Sequence, residues 1–417
     1  MCDFLREASF KSLSWQEFMN FIEQYLDANL RPHLRSIDEW IFNKTPLQHN
    51  LIYSSFDIRN SGFKIVPIDA NLFPAGFNNL SDVTIKLAQL KMQKFCRDNQ
   101  YDTKNAIIIA ESHTRNHFYF ESLINLRRIL SIYFNHVVFA HLGDEDIIAQ
   151  THHDIDITLY ALRSLNSQNQ VIVLNNDLTD GLVESLQALE GCVIPPIALG
   201  WYQRKKTSFF AIYQKLVMEF AHEFGIDAFY LTSLVKNCSN INFKSSAGID
   251  CIAMNTEKAL HLLRDKYKEH DVKLEPYVII KSNSGTYGMN VMAARSGDDI
   301  YHMNKKRKAK MNSGKGGVIT SDVIIQEGIE TIETYNDLTA ETMVYSIGAE
   351  PVSFIYRMHD TRDSKSNLNS PGMTFQEIDP NLYGKQFAYH SLVSRLSNLA
   401  LILEINQHGD DVKYDNT

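Results

Sequence analysis

Between about residues 14 and 43 the apolar positions Phe18, Phe21, Ile22, Tyr25 and Leu26 recur three and four apart, the spacing of one face of a helix. Ser14 stands three residues before Glu17, a pairing that caps a helix start. Beyond this segment, short β-branched runs at 63–68, 106–110, 136–140 and 171–174 read as strands, and the stretches 81–97, 117–133 and 180–190 read as helices. That alternation predicts a mainly parallel sheet with helices on its faces.

After Pro195-Pro196 the pattern changes. A helical stretch at 208–224 is followed by strands at 277–281, 289–294, 323–326, 342–347 and 351–357, whose tight connections predict antiparallel pairing. The expected organisation is α/β followed by α+β: an N-terminal helical segment at 1–45, a mainly parallel α/β domain at 46–200, and a further domain at 201–417.

At 417 residues the chain exceeds what one hydrophobic core usually serves, which supports more than one domain. Its 44% hydrophobic and 22% charged residues describe an ordinary folded protein. A net charge of -8 argues against a nucleic-acid partner, whose phosphates call for a basic face. The five cysteines are widely spaced with no Cys-x-x-Cys, so neither a disulfide framework nor a zinc site is expected. No apolar run is long enough to span a bilayer and the N-terminus is acidic, so a cytoplasmic protein without a membrane partner is the expectation.

The chemistry concentrates in the second half. Val278-Ile279-Ile280-Lys281 is an apolar strand ending in a lysine, and it opens into Ser284-Gly285-Thr286-Tyr287-Gly288. Small residues let backbone N–H groups approach phosphate oxygens, and the lysine adds a fixed positive charge. Val323-Ile324-Ile325 then runs into the bend Gln326-Glu327-Gly328-Ile329, able to offer backbone groups to an adenine edge. A hairpin over 342–357 ends in Arg357, whose guanidinium suits bidentate phosphate binding. The loop Lys365-Ser366-Asn367-Leu368-Asn369-Ser370-Pro371-Gly372 follows. The basic run at 305–310 and the glycines around Lys315 lack P-loop spacing and read as a solvated flap.

Taken in order, these four segments resemble the ATP-grasp superfamily. The hairpin matches closely, and the loop matches Ser-Asn-Leu-x-x-Gly-Gly apart from Pro371 at the first glycine. The resemblance implies ATP and Mg²⁺, with Lys281 and Arg357 on the phosphates, the 284–288 loop as cover, and the bend at 326–329 against adenine. ATP-grasp enzymes usually carry an Asp followed by Glu-x-Asn as metal ligands. Glu404-Ile405-Asn406 has suitable letters, but leucines at helical spacing precede it, so it either serves the metal or ends a helix. Asn367 and Asn369 complete the candidate metal set, with Glu327 as a substitute.

In the first half, Asp69, Asn71, Asn78 and Asn79 gather beyond one strand with Arg59 nearby, and a second strand delivers Glu111-Ser112-His113-Thr114-Arg115-Asn116. Ligands of open α/β sheets bind beyond such strand ends. The strings Asp57-Ile58-Arg59, Asn71-Leu72-Phe73-Pro74-Ala75-Gly76-Phe77-Asn78-Asn79-Leu80 and Gly200-Trp201 with Arg204-Lys205-Lys206 resemble the proteobacterial glutamate-cysteine ligase family of ATP-grasp type, over roughly residues 50–395. That family implies the first step of glutathione biosynthesis, in which ATP drives formation of γ-glutamylcysteine from glutamate and cysteine. On this reading Arg59, Arg115 and Arg204 are candidates for substrate carboxylates, and Asn71, Asn78, Asn79, His113 and Asn116 for amino groups. The alternatives are another ATP-grasp carboxylate-amine ligase and a nucleotide-binding regulatory protein without turnover; self-association is left open.

Overall fold

The computed structural model describes residues 31–111, 114, 116–189, 192–243, 245–285, 291–312, 320–379 and 384–414. Helix α1 (Arg31–Lys44) leads into the hairpin β1 (Tyr53–Asn60) and β2 (Ile65–Asn71), then α2 (Asp82–Asp98). Strand β3 (Asn105–Ala110), helix α3 (His117–Leu130), β4 (His136–His141), β5 (Ile147–Gln150), β6 (Asp156–Ala161), β7 (Val171–Asn175) and β8 (Cys192–Ile194) follow. The remainder includes α4 (Lys206–Phe224), β9 (Val235–Cys238), α5 (Ser246–Glu269), β10 (Val278–Ser282), β11 (Met292–Ala294) and β12 (Val323–Glu327), with short helices at Asp298–Tyr301 and at Lys305–Asn312, where the basic run expected as a flap is helical. It ends with β13 (Thr334–Tyr335), β14 (Leu338–Ile347), β15 (Glu350–His359), β16 (Thr374–Glu377) and α6 (Gly384–Tyr414). The Ser14 cap and the apolar positions 18–26 lie outside the described residues.

The result is a mixed α/β fold with several sheets. One runs β5-β6-β4-β3-β7-β8, parallel except for β5 against β6, as the alternating pattern of the first half predicts. The strand expected at 63–68 is absent from it. That segment forms β2 and pairs antiparallel with β1, and β1 pairs antiparallel with β14. The order β16-β15-β14-β1-β2 thus joins residues 53–71 to 338–377 in one sheet, across the boundary expected near 200. The reason lies in burial: most residues of β1 and β2 are inaccessible, and Phe56, Ile58, Ile65 and Ala70 join the main core only when β14 pairs with β1 and the C-terminal helix covers both strands. A third sheet, β11-β10-β12-β9, is antiparallel throughout.

Helix α6 packs on α4 and on β1, β2, β14 and β15. Leu392, Val393, Leu396, Leu399, Ala400, Ile402 and Ile405 are all buried, so this helix is apolar around most of its circumference. The carboxamide of the buried Asn398 accepts from Ser54 Oγ at 2.6 Å and donates to Ser346 Oγ at 2.9 Å, so no polar group of that contact is left unmatched. Among the described residues no helix is long and apolar enough to cross a membrane.

Candidate functional site: two cavities with a common wall

Two cavities meet at the exposed ends of the antiparallel strands. The larger, about 480 Å³, lies between the β1-β2-β14-β15 surface and the carboxyl edge of the parallel sheet. The smaller, about 80 Å³, lies between β10, β12 and the 365–369 loop. Asp57, Asp69 and Asn369 line both. Asp57 and Asp69 are register partners on β1 and β2, so their side chains stand on one face as a cross-strand pair.

Each carboxylate on this wall is held by a cation. Arg357 donates from both terminal nitrogens to Asp57, at 2.8 and 3.2 Å, and from Nη1 to Glu341 at 2.7 Å. Lys206 Nζ donates to both oxygens of Asp69 at 2.6 and 2.9 Å. Burial would lift the Asp69 carboxyl, but Lys206 and then Lys281 outweigh it and hold it down at about 2. Asp57 goes the other way: burial pushes its carboxyl above the ordinary range against the pull of Arg357, and Glu341 adds to the rise. Lys281 lines the smaller cavity and donates to Ile68 O at 2.7 Å. Burial brings its ammonium down to about 8, although Asp69 favours the charged form.

The loops are fastened to this wall from both sides. Asn283, next to Ser284 and Gly285, accepts from Lys206 N–H through its backbone carbonyl at 2.7 Å and from Thr207 N–H through Oδ1 at 3.0 Å, tying the strand exit to the start of α4. Thr286, Tyr287 and Gly288 lie outside the described residues. In the larger cavity Ser122 Oγ accepts from the N–H groups of Gly76 and Phe77 at 3.0 Å. Gly76 has φ +95°, and a Cβ there would stand 2.5 Å from Tyr345 Oη, which explains a glycine in that string.

The residues expected from sequence divide sharply. Asn71, Asn78, Asn79 and Asn116 line the larger cavity with Arg357; Asn116 also caps α3 by accepting from Phe118 N–H. Lys281, Gln326, Glu327, Ile329, Asn367 and Asn369 line the smaller one. His113 and Arg115 lie outside the described residues.

Other expected residues are committed elsewhere. Arg59 touches the smaller cavity, but its guanidinium donates to Glu341 at 2.7 Å and to the carbonyls of Ile329, Ser364 and Ser366, so it braces the bend and the loop instead of awaiting a carboxylate. Arg204 is 2% exposed and donates to Glu404 through Nε at 3.2 Å and Nη2 at 2.9 Å. Glu404 therefore neither ends a helix nor faces a cavity: it is interior to α6 and its two oxygens meet Arg204. Asn406, exposed on α6, lines neither cavity. The Glu327 carboxylate accepts from Lys64 Nζ at 2.9 and 3.0 Å, Tyr267 Oη at 3.0 Å and Leu234 N–H at 3.0 Å, which fixes the bend. Gly328 is pinned by its own smallness, since a Cβ would meet the Tyr277 ring at 2.2 Å.

Asp69 is among the polar residues expected beyond its strand; what the sequence does not show is its pairing with Asp57. Asp57 opens the string Asp57-Ile58-Arg59 and Asp69-Ala70-Asn71 has the acid-x-Asn spacing, but their meeting depends on the β1-β2 register. Among the described residues no cluster of three His, Cys, Asp or Glu side chains forms a cage for a metal ion. Two carboxylates with the amide oxygen of Asn369 instead make a sparse set of oxygen donors, of the kind Mg²⁺ shares with phosphates.

Comparison with known proteins adds a second line. A family model described as glutamate-cysteine ligase matches residues 27–405. A crystal structure from Methylobacillus flagellatus KT, of a protein assigned by name as a gamma-glutamylcysteine synthetase, superposes with a TM-score of 0.84 at 31% identity. That match covers 96% of this chain and 99% of the other. D-cycloserine synthetase DcsG (TM-score 0.37, 11% identity, 71% of this chain and 82% of that one) is too distant to bear on the fold. The same holds for D-alanyl-alanine synthetase A of Vibrio cholerae O1 biovar eltor (0.31, 7%, 70% and 80%). A comparison with curated protein sequences gives no match.

Proposed function

The chain belongs to the glutamate-cysteine ligase family, and from that premise we propose how its two cavities divide the work of joining L-glutamate to L-cysteine with ATP. The reaction supplies γ-glutamylcysteine for glutathione synthesis. A carboxylate is inert toward an amine at neutral pH, so the γ-carboxyl of glutamate must first take the γ-phosphoryl group of ATP. The cysteine amine then attacks the acyl phosphate and phosphate leaves. No protein nucleophile is required; positioning and charge neutralisation carry the catalysis.

The observation that carries the reading is the common wall of Asp57, Asp69 and Asn369. The smaller cavity takes the nucleotide, with the bend at 326–329 against adenine and Lys281 and the 284–288 loop at the phosphates. The larger takes the amino acids, with Asn71, Asn78, Asn79, Asn116, His113 and Arg115 among their partners. Phosphoryl transfer falls at the wall between them, within reach of Arg357. Arg357 enters this chemistry already oriented: Asp57 and Glu341 fix its plane, so it need not reorganise as charge develops.

Mg²⁺ fits this wall better than the Glu404-Asn406 end of the chain. Asp57 and Asp69, with Asn369 and Asn71 beside them, are the residues that would hold it; their carboxylate oxygens have more lone pairs than their present contacts use. Bound there, the ion would offset phosphate charge. In fold terms we read an ATP-grasp unit that draws β1 and β2 from the first half, so that Asp57 and Asp69-Ala70-Asn71 stand where that superfamily carries its Asp and Glu-x-Asn. The cytoplasm, where ATP and free thiols coexist, is the compartment this chemistry suits.

The experiment is ADP release from ATP and Mg²⁺ with glutamate, with and without cysteine, and mass analysis of the product. Release that requires both amino acids and yields γ-glutamylcysteine is expected. ATP binding without turnover, or turnover with a different amine, would overturn the reading.

A further inference from the structure

We propose that Glu111 and Asp177 form the subsite for the α-ammonium group of glutamate and thereby decide which of its two carboxyls is activated. The proposal rests on the ligase reading above.

Strands β3 and β7 are parallel neighbours, paired Ala110 to Asn175 at their carboxyl ends. One residue beyond β3 stands Glu111 and two beyond β7 stands Asp177, and both line the larger cavity. Tyr119 Oη bridges the two strand ends: it accepts from Glu111 N–H at 2.9 Å and donates to the carbonyl of Asn175, two residues before Asp177, at 2.9 Å. Asn176 Nδ2 donates to Ala110 O at 3.3 Å, and Trp201 N–H donates to Asp177 O at 2.8 Å. Thr179 N–H meets Asp177 Oδ1 at 3.0 Å. The two acids thus project from a braced sheet edge, while Asp57 and Asp69 belong to a different sheet on the wall shared with the nucleotide cavity.

An acidic end at the reaction and another away from it suit the two substrates differently. The ammonium of cysteine must shed a proton and reach the acyl carbon, so a carboxylate that held it away from the junction would block the reaction. The ammonium of glutamate never reacts, and it sits at the far end of the molecule from the γ-carboxyl. Charge-assisted hydrogen bonds to that group, at fixed positions, orient the donor. The α-carboxyl shares its carbon with the ammonium and is drawn away from ATP with it. The γ-carboxyl is left at the wall.

The test is steady-state kinetics of the full chain with Glu111→Gln and Asp177→Asn, together with glutarate, which is glutamate without its ammonium, as acyl donor. We expect each substitution to raise KM for glutamate about 10- to 100-fold, the scale of a lost hydrogen bond to a charged group. KM for cysteine and ATP should stay within about threefold, the pattern of an interaction lost to one substrate only. Wild-type enzyme should favour glutamate over glutarate by about 10- to 100-fold in kcat/KM, and the variants should narrow that gap. A rise confined to cysteine, an unchanged glutamate KM, or a wild type that uses glutarate equally well would overturn the subsite; the last comparison needs no variant to fold. Failure of wild type to release ADP with both amino acids would instead remove the ligase reading beneath it.

Discussion

Arg204 and Lys206 are two residues apart at the entry to α4, and both place their charge over the Trp201 ring, at 4.7 and 4.6 Å. Their fates differ. The Arg204–Glu404 pair is sealed, with side chains 1% and 0% exposed, whereas Lys206 holds Asp69, whose side chain is 37% exposed and faces two cavities. In the contrast, the same kind of ion pair is closed to any ligand when both partners are sealed, and on the reading proposed above it serves the reaction where one partner keeps an open edge. The sealed pair also serves the open one: Arg204 Nη1 donates to Ala70 O at 3.1 Å and so fixes β2 one residue from Asp69.

Breaking the sealed pair should have the largest effect, and on stability. Glu404→Ala leaves Arg204 buried and uncompensated, which should cost about 3–5 kcal/mol in denaturant unfolding, with turnover per folded molecule largely kept. Breaking the open region should do the reverse: Lys281→Ala should lower turnover about 10²–10³-fold, the scale of one lost charge-stabilising donor, with little change in the unfolding midpoint. Turnover near that of wild type would remove Lys281 from the phosphate site. Replacing whole pairs sharpens the comparison. Arg204→Met with Glu404→Leu should remain folded to within about 1 kcal/mol and stay active, because apolar pairs of similar volume often substitute for buried ion pairs. Lys206→Met with Asp69→Leu should fold as well but lose about 100-fold in activity.

The smallest effect is that of pH. Lys281 is charged below its value of about 8 and neutral above it. A charge needed for phosphate binding should therefore be lost as pH rises past about 8, so kcat/KM for ATP should fall on the alkaline side of a pH profile of the free enzyme. Asp69, held at about 2, stays ionised over the whole working range and should add no acid limb near neutrality.

Local patterns made much of this legible. The parallel run β3, β4, β7 follows from β-branched stretches spaced by helices, and β10, β12, β14 and β15 from apolar runs with tight connections. Lys281, Arg357 and the asparagines of the larger cavity stand in strings that suggest chemistry on their own, and the fold brings them to the two cavities. Arg59, Arg204 and Glu404 mark where letters alone stop: an arginine that braces carbonyls or a buried carboxylate and one that awaits a substrate are the same letter, and only the partners tell them apart. Asp69 stands out beside Asn71 in the sequence, but its pairing with Asp57 does not, because a cross-strand pair is a property of register that no local string carries.

That long-range seam has a consequence for how the protein comes into being. A chain emerging from the ribosome displays Tyr53–Asn60 some 280 residues before its neighbour Leu338–Ile347 is made. During that interval the β1-β2 hairpin has an uncovered edge, and a lone hairpin is at best marginally stable in water. The parallel sheet of residues 105–194 can assemble early, but Asp57 and Asp69 reach their final setting only when the last third arrives. The halves are therefore unsuited to separate production: a cut near residue 200 would sever β1 and β2 from the sheet they complete.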